Sequence, residues 1–184
     1  KPLMGIIPPL NEQEWMDVFA KYQLYPEYQK VNQHMDVHDF KYIFMYEYLH
    51  RVLGRSIGLL FLLPFLFFYF TKRIQSGLTP KLLLMFILGG LQGLLGWYMV
   101  KSGLVDNPRV SEYRLAAHFG AAVIIYAYIL WVAFGLIGDK YAAFVDKGLK
   151  PFSFTLTGLI FLMMLSGAFV AGTHAGFSYP TFPL

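Results

Sequence analysis

The sequence predicts an all-α polytopic membrane bundle, with four transmembrane helices joined to an outer amphipathic loop region. Three observations carry that expectation. The 184 residues are 57% hydrophobic and only 14% charged, too apolar for a disordered chain or an ordinary soluble domain. Four apolar runs each reach the roughly 20 residues that a helical crossing needs. The basic residues between those runs collect in two of the connecting loops, as they do on a cytoplasmic membrane face. Cysteine is absent, which excludes disulfides, thiolate metal sites and Cys nucleophiles and leaves histidine as the candidate metal ligand. The net charge of +4 reports on topology, since no nucleic-acid motif accompanies it.

Residues 1–41 are mixed in polarity and broken by Pro2, Pro8, Pro9 and Pro26, so they form a folded loop region and not a span. Within them Asn11 and Glu14 make a capping pair, and Trp15, Phe19 and Tyr22 recur at helical spacing. A short amphipathic helix over about 12–24 follows. Asp36 and Asp39 repeat the capping pattern before a long apolar run, which starts the first spanning helix near Val37 and carries it to about Phe70. At 1.5 Å per residue such a helix exceeds the ~30 Å hydrocarbon core, so its first turns project from the membrane. The second span is Leu82–Val100, the third about Tyr113–Gly138 and the fourth Phe152 to about Thr173. The chain thus divides into a loop region at 1–41, three spans over 42–138, a loop at 139–150 and a last span within 151–184. Beginning at Lys1 without a signal-peptide pattern and stopping at Phe182-Pro183-Leu184 just after an apolar run, it reads as an internal segment of a longer protein.

Ionisable groups inside the apolar runs need a reason, because they are expensive in lipid. The densest set is Glu47, His50, Arg51 and Arg55 on the first span. His50 lies 20 residues before Phe70, and His118 lies 20 residues before Gly138 on the third span. Both therefore sit ~30 Å from the cytoplasmic boundary, at the outer rim of the hydrocarbon layer. Two histidines at one depth on two helices suit a bis-imidazole heme site. Gly54 and Gly58 after His50, and Ala117, Gly120, Ala121 and Ala122 around His118, leave thin backbone against which a flat macrocycle can lie. Arg51, Arg55 and Arg114 are candidate partners for heme propionates, since a guanidinium matches a carboxylate with two hydrogen bonds. Plainer readings stand beside these. Glu47 and Arg51 at i, i+4 make a structural ion pair without any function. A single intramembrane histidine can simply bond a neighbouring helix, and Gly89, Gly93 and Gly96 read first as close helix packing. His174 is read as a solvated helix terminus, and His34 and His38 as surface.

The motifs that hold these residues resemble a known family. Glu47-Tyr48-Leu49-His50-Arg51, the run from Gln92 to Leu104, the run from Pro108 to His118 and the run from Leu165 to Gly172 are similar to heme A synthase of the cysteine-free type found in mitochondria and related bacteria. In the outer loop Pro8-Pro9, Glu14-Trp15, Phe19, Lys21-Tyr22-Gln23 and Pro26-Glu27-Tyr28 agree in order and spacing. The resemblance implies eight spanning helices in two four-helix bundles, of which this chain holds the second to fifth. Residues 42–138 then belong to the N-terminal heme-binding bundle, and 151–184 begin the second. It implies heme O as substrate, bound by His50 and His118, with Glu47 in the reaction and a heme b cofactor in the other half. It also implies an inner-membrane location, in bacteria or mitochondria, and an inactive segment when alone. Implied partners are membrane lipid, heme O synthase, cytochrome c oxidase assembly factors and further copies of the protein. A di-heme electron-transfer cytochrome b and a heme-free packing subunit remain alternatives on the residues alone.

The charge pattern fixes a sidedness. The stretch from 71 to 81 carries Lys72, Arg73 and Lys81 without an acid, the loop at 138–150 carries Lys140, Lys147 and Lys150 against Asp139 and Asp146, and residues 1–41 hold six acids against four lysines. Residues 1–41, the 101–112 loop and 174–184 are therefore expected on the outer face, opposite the two basic loops. Single cysteines placed at Ser76 and at Asn32 should label with a membrane-impermeant thiol reagent from opposite sides, and labelling of both from one side would defeat the scheme.

Overall fold

The structure is a computed structural model that describes residues 7–103, 109–137 and 148–178. Every regular element among the described residues is helical: α1 Glu12–Tyr22, α2 Pro26–Lys30, α3 Val37–Phe70, α4 Thr79–Gly103, α5 Glu112–Ile137, α6 Leu149–Thr173 and α7 Ala175–Ser178. Four of these, α3 to α6, are long and apolar enough to cross a membrane. The protein is a multi-pass integral membrane protein, and its spans lie where the apolar runs put them. The basic loop expected at 139–150 falls mostly outside the described residues. The chain forms two compact units, one of residues 1–86 with 100–109, the other of 87–99 with 110–184.

The first unit is organised by caps and aromatic rings. Asn11 accepts from the Glu14 N–H at 2.9 Å, while the Glu14 carboxylate accepts from the Leu10 N–H at 2.8 Å and from Asn11 Nδ2 at 3.0 Å, so the predicted pair satisfies one first-turn donor of α1 and ties the residues that lead into it. Its aromatic face meets the first turns of α3. Trp15 stands edge-on to Phe44 at 5.1 Å, Phe19 packs on Phe40 at 5.3 Å, and Tyr22 stacks on Phe40 at 4.9 Å. Tyr28 of the short α2 closes the cluster against Phe19 and Tyr22. An ion pair from Lys41 to Glu12 at 2.7 Å and the Lys41 ammonium over the Trp15 ring fasten the rim.

Asp36 caps α3 by accepting from the Asp39 N–H at 2.9 Å, again as the spacing predicts. The helix then runs unbroken through Pro64 to Phe70. It stops through backbone geometry that the sequence did not advertise. Lys72 adopts φ 55°, which lets its N–H reach the Tyr69 carbonyl at 3.1 Å and the Arg73 N–H reach the Phe68 carbonyl at 3.0 Å. Glycine is the usual residue at this left-handed position, and here a lysine holds it. Phe61 stacks on Phe86 at 6.1 Å, joining α3 to the first part of α4.

In the second unit α5 and α6 lie against each other. A β-carbon added at Gly120 would sit 2.8 Å from Leu165 Cδ2, and one added at Gly172 would sit 2.8 Å from Glu112 Cβ. Tyr113 meets Phe169 edge-on at 5.6 Å between them. Glycine at 120 and 172 is thus what permits close approach of these helices. At most 11% of any spanning window is buried, so lipid or further helices must solvate the remaining apolar surface.

Phe40 is the keystone of the outer cluster at 4% exposure, and replacing it with alanine should cost about 3–5 kcal/mol by analogy with other buried aromatic truncations. In membranes carrying the full-length protein, Phe40→Ala should free α1 and α2 to proteases that cut at Lys21 and Lys30. An unchanged cleavage rate would show that the ion pair and caps hold this lobe without the rings.

Candidate functional site

The candidate residues on α3 are presented by one uninterrupted helix. Glu47, His50 and Arg51 occupy adjacent turns of one face, since residues three and four apart are neighbours on a helix surface. The Glu47 carboxylate and the Arg51 guanidinium form a direct ion pair through Oε1 and Nη1. Arg51 Nε is buried and has no hydrogen-bond partner among the described residues, so the ion pair leaves one donor of this guanidinium unused. The His50 and Arg55 side chains are exposed. A second carboxyl belongs to this surroundings. Burial first, and the charge of Glu47 second, hold the Glu27 carboxyl of α2 above the ordinary carboxylate range.

His118 is held differently. Its imidazole lies against Gly96 of α4, where an added β-carbon would come within 2.9 Å of Cε1 and 3.3 Å of Nε2. One turn before Gly96 on the same helix, the Gln92 side chain donates from Nε2 to the His118 carbonyl at 2.8 Å and approaches His118 Nδ1 at 3.2 Å. Gln92 Oε1 is buried with no hydrogen-bond partner among the described residues. Two residues beyond Gly96, the Tyr98 ring takes the Arg114 guanidinium at 5.2 Å from its centroid, a cation–π contact that fixes Arg114 one turn from His118.

The structure brings Glu47 together with Arg51, and His118 together with Gln92 and Gly96. His50 belongs to the first unit and His118 to the second, and each is described within its own. Three readings of small residues change. Gly120, expected to leave room for a macrocycle, is covered by Leu165 of α6. Gly89 and Gly93, read as close packing, have nothing within 4 Å of an added β-carbon, and Gly96 receives an imidazole in place of a helix backbone. His174 ends α6 in the left-handed conformation, φ 55°, which accords with a helix terminus. Asp36, His38 and Asp39 are close enough together to share a cation, but all three are exposed and Asp36 is engaged as the cap of α3. Sequence reasoning did not assign a role to Gln92 or Glu27. An amide in the middle of an otherwise apolar helix was the available signal for Gln92.

These residues suit a heme. Arg51, the residue after His50, has a buried Nε without a hydrogen-bond partner among the described residues, and the Gln92 amide that contacts His118 has such an atom in Oε1. A propionate would accept from the first, and a protonated ligand imidazole would donate to the second.

The whole chain, residues 1–184, matches the family model described as cytochrome oxidase assembly protein. It is 51% identical to a heme A synthase of Nitrosospira multiformis, 52% to one of Nitrosomonas eutropha and 46% to one of Parvibaculum lavamentivorans. Each similarity covers 100% of this chain and 52%, 53% and 53% of the relative. The chain therefore spans about half the length of the curated relatives it matches. No solved structure matches it significantly.

Gly96→Ala would push on the His118 ring and not on backbone, so its cost should appear in the position of His118 more than in insertion. In the full-length protein it should lower the heme that survives purification, whereas Gly93→Ala, with open space around it, should leave the heme content unchanged. Equal heme content in both variants would show that the ring does not need this contact.

Proposed function

The chain belongs to the cytochrome oxidase assembly protein family, and from that premise we propose that the whole protein is a heme A synthase, which oxidises the C8 methyl group of heme O to a formyl group for use in cytochrome c oxidase. The observation that carries the reading is identity of 46–52% along this entire chain to proteins bearing that name. His50 and His118 are the substrate-heme ligands. Their similar depth, 20 residues before the end of α3 and 19 before the end of α5, supports this, as does the seat that Gly96 and Gln92 give the His118 ring. Arg51, with its unpartnered Nε, is the first candidate for a propionate, and Arg55 and Arg114 are the others. A heme b in the other half of the protein supplies one-electron transfer when bound.

Turning a methyl into a formyl group with oxygen from water removes four electrons and releases four protons. A base at the ring edge therefore has work at more than one stage. Glu47 precedes His50 by one turn and is oriented by Arg51, which suits it to take a proton from water or from the oxidised carbon. The partners that go with this reading are heme O as substrate, surrounding lipid, heme O synthase as supplier, cytochrome c oxidase assembly factors as recipients, and further copies of the same protein.

Glu47→Gln separates catalysis from packing. A structural partner of Arg51 contributes about 0.3–1 kcal/mol at a half-exposed site, so a purely structural Glu47 predicts near-normal heme A. A proton acceptor predicts a loss of roughly 100-fold or more in heme A formation with bound heme O retained. His50→Ala and His118→Ala should instead lose the substrate heme. Heme O and heme A extracted from cells carrying each full-length variant give the answer. Normal heme A in the Glu47→Gln cells would remove the proton-transfer role, and bound heme without conversion in the unaltered protein would favour an electron-transfer cytochrome.

A further inference from the structure

Gln92 places both ends of a primary amide beside one imidazole, and only one end is in use. Its Nε2 faces His118 Nδ1 at 3.2 Å and the His118 carbonyl at 2.8 Å, while Oε1 is buried and unpartnered among the described residues. An amide N–H can approach Nδ1 only if that nitrogen carries the lone pair, so this arrangement selects the tautomer protonated at Nε2. That tautomer is the wrong one for an iron ligand bound through Nε2, which needs its lone pair there and its proton on Nδ1, held by an acceptor. The missing acceptor is already in place. Turning the Gln92 amide about its last bond, with a small shift off the His118 carbonyl so that two oxygens do not face each other, brings Oε1 to the ring, and the carbonyl it leaves keeps the N–H four residues on as its helical partner.

We propose that Gln92 is the positioning residue of His118, a two-way amide that holds the ring in one tautomer without heme and accepts from Nδ1–H when Nε2 binds iron. The proposal rests on the reading of His118 as a heme ligand. Geometry favours Gln92 over its neighbours for this role. It lies one helical turn from Gly96, so the two residues grip the ring from adjacent positions of α4, the amide at Nδ1 and the glycine at Cε1. A leucine would fill the same volume in lipid at no polar cost, so the amide in this apolar helix needs a polar use.

The test uses the full-length protein loaded with heme O and solubilised in detergent, with excess apomyoglobin as the acceptor for released heme. Gln92→Leu and Gln92→Met keep the bulk and lose both polar ends, and should release heme about 10- to 100-fold more readily, the usual cost of removing a partner behind a ligating histidine. Gln92→Glu keeps only the acceptor and should restore retention to near the unaltered level, with ferric electron paramagnetic resonance signals displaced toward a more basic imidazole. Retention and signals equal to the unaltered protein in the Leu and Met variants would overturn the proposal, as would a Glu variant no better than Leu. If the Glu variant does not insert, the two apolar variants alone still decide. His118→Ala separates the two layers. Its losing heme while the apolar Gln92 variants keep it unaltered sinks only the role of Gln92, whereas normal heme retention in His118→Ala removes the ligand reading itself.

Discussion

Every polar group carried into lipid must find a partner inside the protein, and that constraint accounts for most of what is seen here. It makes the spans helical, because only a helix satisfies its own backbone without water. It also makes each intramembrane polar side chain informative, since hydrocarbon offers no solvent to absorb a careless one. Glu47 meets it with Arg51, Arg114 with the face of Tyr98, and His118 with Gln92. Among the described residues, two buried side-chain atoms do not meet it: Arg51 Nε, one residue after His50, and Gln92 Oε1, on the amide that contacts His118.

The N-terminal region obeys a different rule. Outside the hydrocarbon, water can satisfy stray polar groups, and order must come from burying rings. Phe19 and Phe40 are among the few side chains buried in the whole described chain, and they lie where α1 meets the first turns of α3. The same region brings Glu27 near enough to Glu47 for the two carboxyls to interact. The aromatic lobe thus packs on the turns of α3 that precede Glu47.

Local signals were legible in the sequence and tertiary ones were not. Asn11 with Glu14, and Asp36 with Asp39, marked helix starts because a cap involves residues only three apart. The α3 limits of Val37 and Phe70 follow from a cap and an apolar run. The stop at Lys72 was invisible, since a lysine carries no preference for the left-handed conformation it adopts. The site divides in the same way. Glu47 with Arg51 could be read from i, i+4 spacing, whereas Gln92 with His118 joins residues 26 apart on different helices. No periodicity encodes that contact.

The glycines make the same point in a sharper form. A stripe of small residues states only that something can come close, and the structure assigns different occupants to stretches that look alike. Gly120 and Gly172 admit a neighbouring helix, Gly96 admits an imidazole, and Gly54, Gly58, Gly89 and Gly93 face open space. The packing reading and the cofactor reading of such a stripe therefore do not compete along its whole length. They are decided residue by residue by what lies opposite. Gly96 differs from Gly93 not in its own helix, which is uniform, but in having His118 across from it and Gln92 one turn away to keep the ring there. A glycine gains a chemical meaning in this chain only where a polar residue nearby fixes what fills the space it leaves.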